Sequence, residues 1–326
     1  MKALRFKSIG PPAEVLRLER LPVPSPGPGE VLVQVYATSI NPSDVKIVEG
    51  KIGKVLPPRI PGRDFAGVVA AGAPELSGRE VWGAGGDIGL TRDGCHAEYI
   101  VLPKEGVQSK PESLSMIEAA SIGINYITAW SALIEKAQLE SGETLLVTGA
   151  TGGVGSSAVK IARWKSARVI GVGRRRAGPE EARLMGIDLM LGSESDDIVE
   201  QVMEFTDGKG ADVVLDCVGG PLFETALNSL GPGGRQVNIT SVGQRRVCFD
   251  LLDFYHRRIT LFGLDTTAMD TVACGKVLQS LRPAFEEGRL TPPEITRTCT
   301  PEEAVEAYGD VGKGKAVGKV VIVFKQ

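Results

Sequence analysis

Val147-Thr-Gly-Ala-Thr-Gly-Gly-Val-Gly155 joins an apolar, β-prone run, Thr144–Thr148, to residues 154–164, where Val159, Ile161 and Ala162 recur at helical spacing. A glycine-rich turn between a strand and a helix is the setting in which backbone closes around a diphosphate. Gly152 lets the chain approach the phosphates, and Gly155 lets the helix pack closely on the strand. The helix N-terminus adds free N–H groups and a partial positive charge. Ala150, Thr151, Gly152, Gly153 and Val154 are therefore candidate dinucleotide-binding residues. Ala150 stands where the usual pattern has its first glycine.

The alternation continues outward from that turn. Residues 168–172 read as a second strand, and residues 179–185 as a second helix with Pro179 in the tolerated first turn. Residues 212–216 and 235–239 add strands. Continuous apolar strands alternating with helices predict a parallel sheet covered on both faces, an α/β doubly wound Rossmann domain. An NAD site usually presents an acid about 20 residues beyond the glycine turn. Here that place reads Gly171-Val-Gly-Arg-Arg-Arg176, with no acid. Gly173 leaves room, and Arg174 and Arg175 offer planar, charge-assisted hydrogen bonds to a 2′-phosphate, so the expected cofactor is NADPH.

The flanking sequence differs in kind. Residues 1–6, 31–37, 65–70 and 98–102 are short β-rich runs separated by frequent turn signals, and residues 21–30 are a proline-rich extended loop. This pattern predicts a small, partly closed barrel. Residues 272–287 read as a helix, and residues 318–324 as a final strand too apolar for a loose tail, which is expected to return to the first domain. The predicted organisation is 1–118 in the barrel domain, 119–263 in the Rossmann domain, and 264–326 returning to the barrel.

Composition narrows the function classes. A formal net charge of −3 gives no reason to expect nucleic acid as a partner. No run of about 18 uncharged apolar residues is present, so no membrane span is expected. Met1-Lys-Ala-Leu-Arg-Phe-Lys7 lacks the apolar stretch of a signal peptide. Five scattered cysteines without a C-x-x-C pair fit reduced thiols and a cytoplasmic location.

Several separated motifs carry a resemblance along nearly the whole chain: Ile40-Asn-Pro-Ser-Asp-Val-Lys46, Pro61-Gly-Arg-Asp-Phe-Ala-Gly67, Asp93-Gly-Cys-His-Ala-Glu-Tyr99, the glycine turn, Gly210-Ala-Asp-Val-Val-Leu-Asp-Cys-Val-Gly219 and Gly318-Lys-Val-Val321. Together they resemble the medium-chain dehydrogenase/reductase superfamily, in its zinc-independent quinone oxidoreductase-like and enoyl reductase-like branch. The resemblance implies a GroES-like, partly open β-barrel catalytic domain interrupted by a Rossmann domain. It also implies cofactor contacts at Thr128, Asn238, Phe262, Gly263 and Lys319. Relatives pair the edge strand at Ile259-Thr-Leu-Phe-Gly263 with its copy, which implies a homodimer.

The resemblance also raises the question of metal. Zinc-dependent relatives place Cys, then His-Glu, then a later Cys around the ion. Here Asn41 stands near the first position and Arg63-Asp64 replaces His-Glu. A catalytic zinc needs three protein ligands, so no metal site is expected. His96 and His256 are isolated, and Cys95 and Cys217 are expected to pack rather than react. Without a Lewis acid, an acceptor that is already electrophilic is favoured, such as a quinone or an α,β-unsaturated carbonyl. Many quinone reductases of this branch carry a tyrosine a few residues beyond the Asn41 position, where this chain has Lys46. Lys46 is the expected catalytic cation, Asn41 a hydrogen-bond donor to the same acceptor oxygen, and Asp44 a group that holds the loop or orients Lys46. The expected activity is NADPH-dependent reduction of a quinone or enone. An enoyl-thioester reductase and a cofactor-binding interaction protein with little turnover are the alternatives.

Overall fold

A computed structural model of the protein describes residues 1–194, 197–315 and 318–324. The chain forms two compact units, Met1–Ile127 with Thr266–Gln326, and Thr128–Asp265. The first boundary falls inside the helical stretch Met116–Trp130, which is broken at Gly123, and lies beyond the expected break after residue 118. Together with the π-helical turn Ser131–Lys136, this stretch is long and apolar enough to cross a membrane by composition. Of its most apolar window, 78% is buried inside the protein, as in a core helix.

The first unit is built around Glu30–Ile40. This strand pairs antiparallel with Asp64–Ala71, Tyr99–Pro103 and the final strand Lys319–Val323. Glu80–Ala84, Gln108–Ser109 and Ile295–Cys299 complete the seven-stranded sheet. Val31, Val33 and Val35 bury one face of the strand, as period-two alternation requires. Near its end the pattern breaks: Thr38, Ser39, Ile40 and the following Asn41 are all buried. The register sets Ser39 opposite both Asp64 and Val321, and Ile40 opposite Val320. Polar side chains from three strands thus converge at one end of the sheet.

The second unit holds six parallel strands in the order Leu189–Gly192, Arg168–Gly173, Thr144–Thr148, Ala211–Asp216, Leu230–Asn238, Thr260–Gly263. Counted along the unit this order is 3-2-1-4-5-6, the dinucleotide-binding arrangement. Leu145, Leu146, Val147, Val213, Val214 and Leu215 are fully buried, so the central strands are covered on both faces. The order reverses between Thr144–Thr148 and Ala211–Asp216, and ligands of such sheets bind outside the strand ends at that switch point.

Candidate functional site

The glycine turn leaves the sheet at the switch point. Gly149 takes the left-handed conformation, with φ +64°, and Ala150 donates its N–H to Val172 O at 3.1 Å. The left-handed residue is therefore Gly149, and Ala150 at the next position needs no special backbone freedom. Gly152 caps the helix Gly153–Trp164, whose first N–H groups have no partner within the helix. Thr151, Gly152 and Gly153 are exposed and Val154 half-buried, leaving this N-terminus accessible. A Cβ on Gly155 would lie 2.2 Å from Gly149 O, so the turn and helix approach more closely than any side chain permits.

A residue outside the sequence expectations fixes the opposite wall. Asp216 Oδ1 accepts from Thr148 Oγ1 at 2.6 Å, from Gly219 N at 2.8 Å and from Val218 N at 3.1 Å. One carboxylate oxygen thereby ties together the strand ends on both sides of the switch point. The signal was Asp216 closing an apolar run directly before Cys-Val-Gly-Gly.

The second strand ends at Gly173, where a Cβ would lie 2.5 Å from Met190 Cε. Arg174 is exposed and bonds to nothing among the described residues. Arg175 forms a bidentate pair with Glu181, with Nη1 3.1 Å from Oε2. Both partners are exposed, so the pair is weak and can be exchanged for another anion. Asn238 ends its strand opposite Gly263 and accepts from Gln236 Nε2 at 3.0 Å through its amide oxygen. Phe262 is half-buried on the edge strand, and Gly263 has open space where a side chain would stand. Thr128 is buried in its helix. The exposed helix N-terminus, the absent Cβ atoms and the arginines beyond the second strand fit a dinucleotide.

The first unit holds a different cluster. Asp64 is fully buried, and Oδ2 accepts from Asn41 Nδ2 at 2.8 Å and from Ser39 Oγ at 2.9 Å. Its Oδ1 accepts the Ile124 N–H at 2.8 Å. That N–H is released by a break at Gly123, whose non-helical backbone brings the helix against the carboxylate. A Cβ at Gly123 would lie 2.2 Å from Asp64 Oδ1. Lys319 Nζ donates to Asn41 Oδ1 at 2.6 Å and Ser39 Oγ at 3.1 Å, and stands 3.5 Å from Asp64 Oδ2. Lys319 is thus a buried member of this cluster, and burial pushes its ammonium pKa down against the pull of Asp64. Asn41 spends its amide on Asp64 and Lys319, so its oxygen is committed and one amide hydrogen is engaged.

Asp44 does not orient Lys46. It lies early in the helix Pro42–Val48, and its carboxylate folds back to accept Asn41 N–H at 2.8 Å while pairing with Arg63 Nε at 3.3 Å. Lys46 is two residues on, too far around the helix to share that face. Its side chain is half-buried and makes no hydrogen bond or ion pair among the described residues. The Asp44–Arg63 pair is almost wholly buried. Removing either partner of such a pair costs roughly 3–5 kcal/mol, because the other charge is left uncompensated. Arg63 Nη2 also donates to Ser43 Oγ.

His96 bridges the cluster to the helix Ala304–Gly312. Its Nε2 stands 3.1 Å from Ser39 O, and its Nδ1 2.8 Å from the Tyr308 hydroxyl. A carbonyl only accepts, so Nε2 carries the hydrogen and Nδ1 accepts from Tyr308. Cys95 is buried against Thr38 Oγ1 and Asp64 O, and burial raises its thiol pKa far above the ordinary value. Burial likewise raises that of Cys217, and His256 is exposed. Among the described residues, no three of His, Cys, Asp and Glu converge where a metal ion would sit. Both Asp64 oxygens are bonded and an ammonium lies beside them, so the donor set does not fit a tetrahedral zinc site.

A barrel-type sheet with a buried polar cluster, joined to a 3-2-1-4-5-6 sheet with an exposed glycine turn, defines a two-domain nicotinamide-dependent oxidoreductase. Residues 27–112 match the alcohol dehydrogenase GroES-like domain, and residues 153–279 match the zinc-binding dehydrogenase family. A zinc-type alcohol dehydrogenase-like protein of Schizosaccharomyces pombe is 34% identical over 315 residues, covering 94% of this chain and 93% of that protein. A crystal structure of an NAD-dependent alcohol dehydrogenase superposes with a TM-score of 0.89 at 30% identity, covering 100% of both chains. A structure described as a putative NADPH:quinone reductase of Bacillus thuringiensis gives 0.86 at 25% identity, covering 99% of both. The chain belongs to the medium-chain dehydrogenase/reductase superfamily, in its quinone oxidoreductase-like branch.

Proposed function

We propose that the protein is an NADPH-dependent, zinc-independent reductase that transfers hydride to a quinone or an α,β-unsaturated carbonyl. The observation that carries this reading is the buried cluster in which Lys319 and Arg63 set two fixed cations among Asp64, Asp44 and Asn41. Protein cations in that place favour an acceptor that needs its developing negative charge stabilised but no metal to activate it. The three arginines beyond Gly173 support NADPH over NADH.

The glycine turn and Arg174 would hold the cofactor, which would supply the hydride when bound. Asp44 and Asn41 act as positioning residues: Asp44 holds Arg63, and Asn41 clamps Asp64 to Lys319. Lys46, whose ammonium no acidic partner engages among the described residues, assists charge development on the acceptor oxygen. The test is steady-state NADPH oxidation against a panel of quinones, enones, enoyl thioesters and alcohols, before and after exhaustive chelation. Turnover with quinones or enones that survives chelation is expected, with Lys46→Ala lowering single-turnover hydride transfer about tenfold or more. Activity confined to alcohols and lost on chelation overturns the reading.

A further inference from the structure

The arginines beyond the second strand are not equivalent, and the difference lies in an acid. The strand Arg168–Gly173 ends beside the glycine turn: Ala150 donates its N–H to Val172 O at 3.1 Å, and a Cβ on Gly173 would lie 3.9 Å from Thr151 Cγ2. Arg174 and Arg175 follow directly, within the same compact unit as the turn. Both are exposed, so a ligand reaches them without entering the core. Arg175 turns both terminal nitrogens to Glu181, the third residue of the helix Pro179–Leu184. Nη1 stands 3.1 Å from Oε2, and Nη2 donates to Oε1. A phosphate takes the same fork, accepting two parallel N–H bonds on two oxygens of one anion. The carboxylate and a phosphate therefore compete for one guanidinium. The pair is open to water, with side chains 75% and 45% exposed, so its own strength is small and exchange is easy. The bonded guanidinium also pulls the Glu181 carboxyl pKa down, which keeps the competing group charged at neutral pH.

We infer that Glu181 is a specificity residue of the cofactor site: it occupies Arg175 until a 2′-phosphate displaces it, and so holds back the preference for NADPH over NADH. The inference rests on the NADPH reading proposed above. Displacement is an exchange of ionic partners in which no covalent bond changes. Glu181 gives up its two hydrogen bonds and returns to water, and the phosphate takes them. NADH brings no phosphate, so Arg175 stays on Glu181 and the acid has no effect on that cofactor. Glu181 therefore subtracts only from binding of the phosphate-bearing form. Selectivity becomes the balance of two opposing groups, Arg174 open to the phosphate and Glu181 withholding the second arginine.

The test is calorimetric titration with NADPH and NADH, and needs no turnover. Glu181→Gln keeps the shape of the side chain and removes its charge. It should tighten NADPH binding about two- to fivefold, the range set by an exposed ion pair, and leave NADH binding unchanged. Glu180→Gln removes a charge one position away that does not pair with Arg175 among the described residues, and should change NADPH binding less. In an Arg175→Ala background, Glu181→Gln should bring no gain, since the acid then has no guanidinium to withhold. All three side chains are exposed, so the substitutions leave the core untouched. Equal NADPH affinity in wild type and Glu181→Gln overturns the inference, as does a gain that Glu180→Gln matches or that survives in Arg175→Ala. A wild-type protein that binds NADPH no better than NADH overturns the NADPH reading instead. A gain for NADPH alone in Glu181→Gln would still uphold the exchange at Arg175 in that case.

Discussion

In the proposed NADPH reading Arg174 is the arginine expected to meet the 2′-phosphate, because of the adjacent pair it alone has no partner among the described residues; Arg175 must first leave Glu181 to bind a phosphate. Arg174→Ala should therefore weaken NADPH binding about tenfold or more while leaving NADH binding nearly unchanged. Fluorescence titration of both cofactors checks this, and equal affinity of the wild-type protein for both would count against the phosphate role. His96 sets a pH limit on stability. Burial pushes its imidazole below the usual 6.5, opposed by the nearby Asp44 carboxylate. Above that pH the side chain is neutral in folded and unfolded chains alike. As pH falls through 6.5 the unfolded chain takes up a proton that the folded chain refuses, so stability declines until the folded value is reached. The slope from this one group approaches about 1.4 kcal/mol per pH unit. His96→Gln, which keeps a donor for Ser39 and an acceptor for Tyr308, should flatten that part of the curve in urea melts. Identical slopes for variant and wild type would remove His96 as the cause. The sequence offered His96 only as an isolated residue, because its partners are 57 and 212 positions away.

At the scale of elements, the parallel sheet was legible because its strands are continuous apolar runs punctuated by glycine and proline. Thr144–Thr148 reads from sequence as it folds, and Arg168–Gly173 extends the expected strand by one residue. The helices Pro42–Val48, Ile198–Phe205 and Ala304–Gly312 were not read, being seven to nine residues long and so without a long periodic stripe. The polar cluster was half legible. Asn41, Asp44 and Lys319 fall in motifs, but their contacts come from the antiparallel register of three distant strands, which local pattern does not encode. The glycine turn is the element whose geometry is most tightly constrained. Gly155→Ala would set a methyl group 2.2 Å from Gly149 O and 2.9 Å from Ala150 Cα. Backbone must shift to admit it, at an expected cost of about 1–3 kcal/mol in a denaturant melt, with weaker NADPH binding. Gly309→Ala is the comparison, since that helical glycine has nothing within 4 Å of the new Cβ and the change should be neutral or stabilising. Equal effects at the two positions would mean that close packing at the turn is not what Gly155 provides.

At the scale of the whole molecule, the six-stranded sheet ends in an unsatisfied edge. Thr260–Gly263 hydrogen-bonds to Leu230–Asn238 on one side and to no strand on the other among the described residues. Thr260 and Gly263 are exposed and Leu261 and Phe262 half-buried, so the free side presents backbone donors and acceptors beside an apolar surface. Such an edge templates pairing with another strand unless a charge, a proline or a bulge blunts it, and this one has none of the three. Leu251, Leu252 and Tyr255 add exposed apolar area in the short helix just before it. A second copy meeting this edge about a two-fold axis would continue the sheet with antiparallel partners and satisfy both edges at once. We therefore expect a homodimer, and sedimentation velocity over a wide concentration range should show it. Thr260→Lys places an ammonium on the exposed edge, where the two-fold brings it towards its own copy, and should shift the protein to monomer without loss of secondary structure. A wild-type protein that sediments as a monomer at every concentration would leave the edge without this partner. A Thr260→Lys dimer as tight as wild type would move the interface to another face.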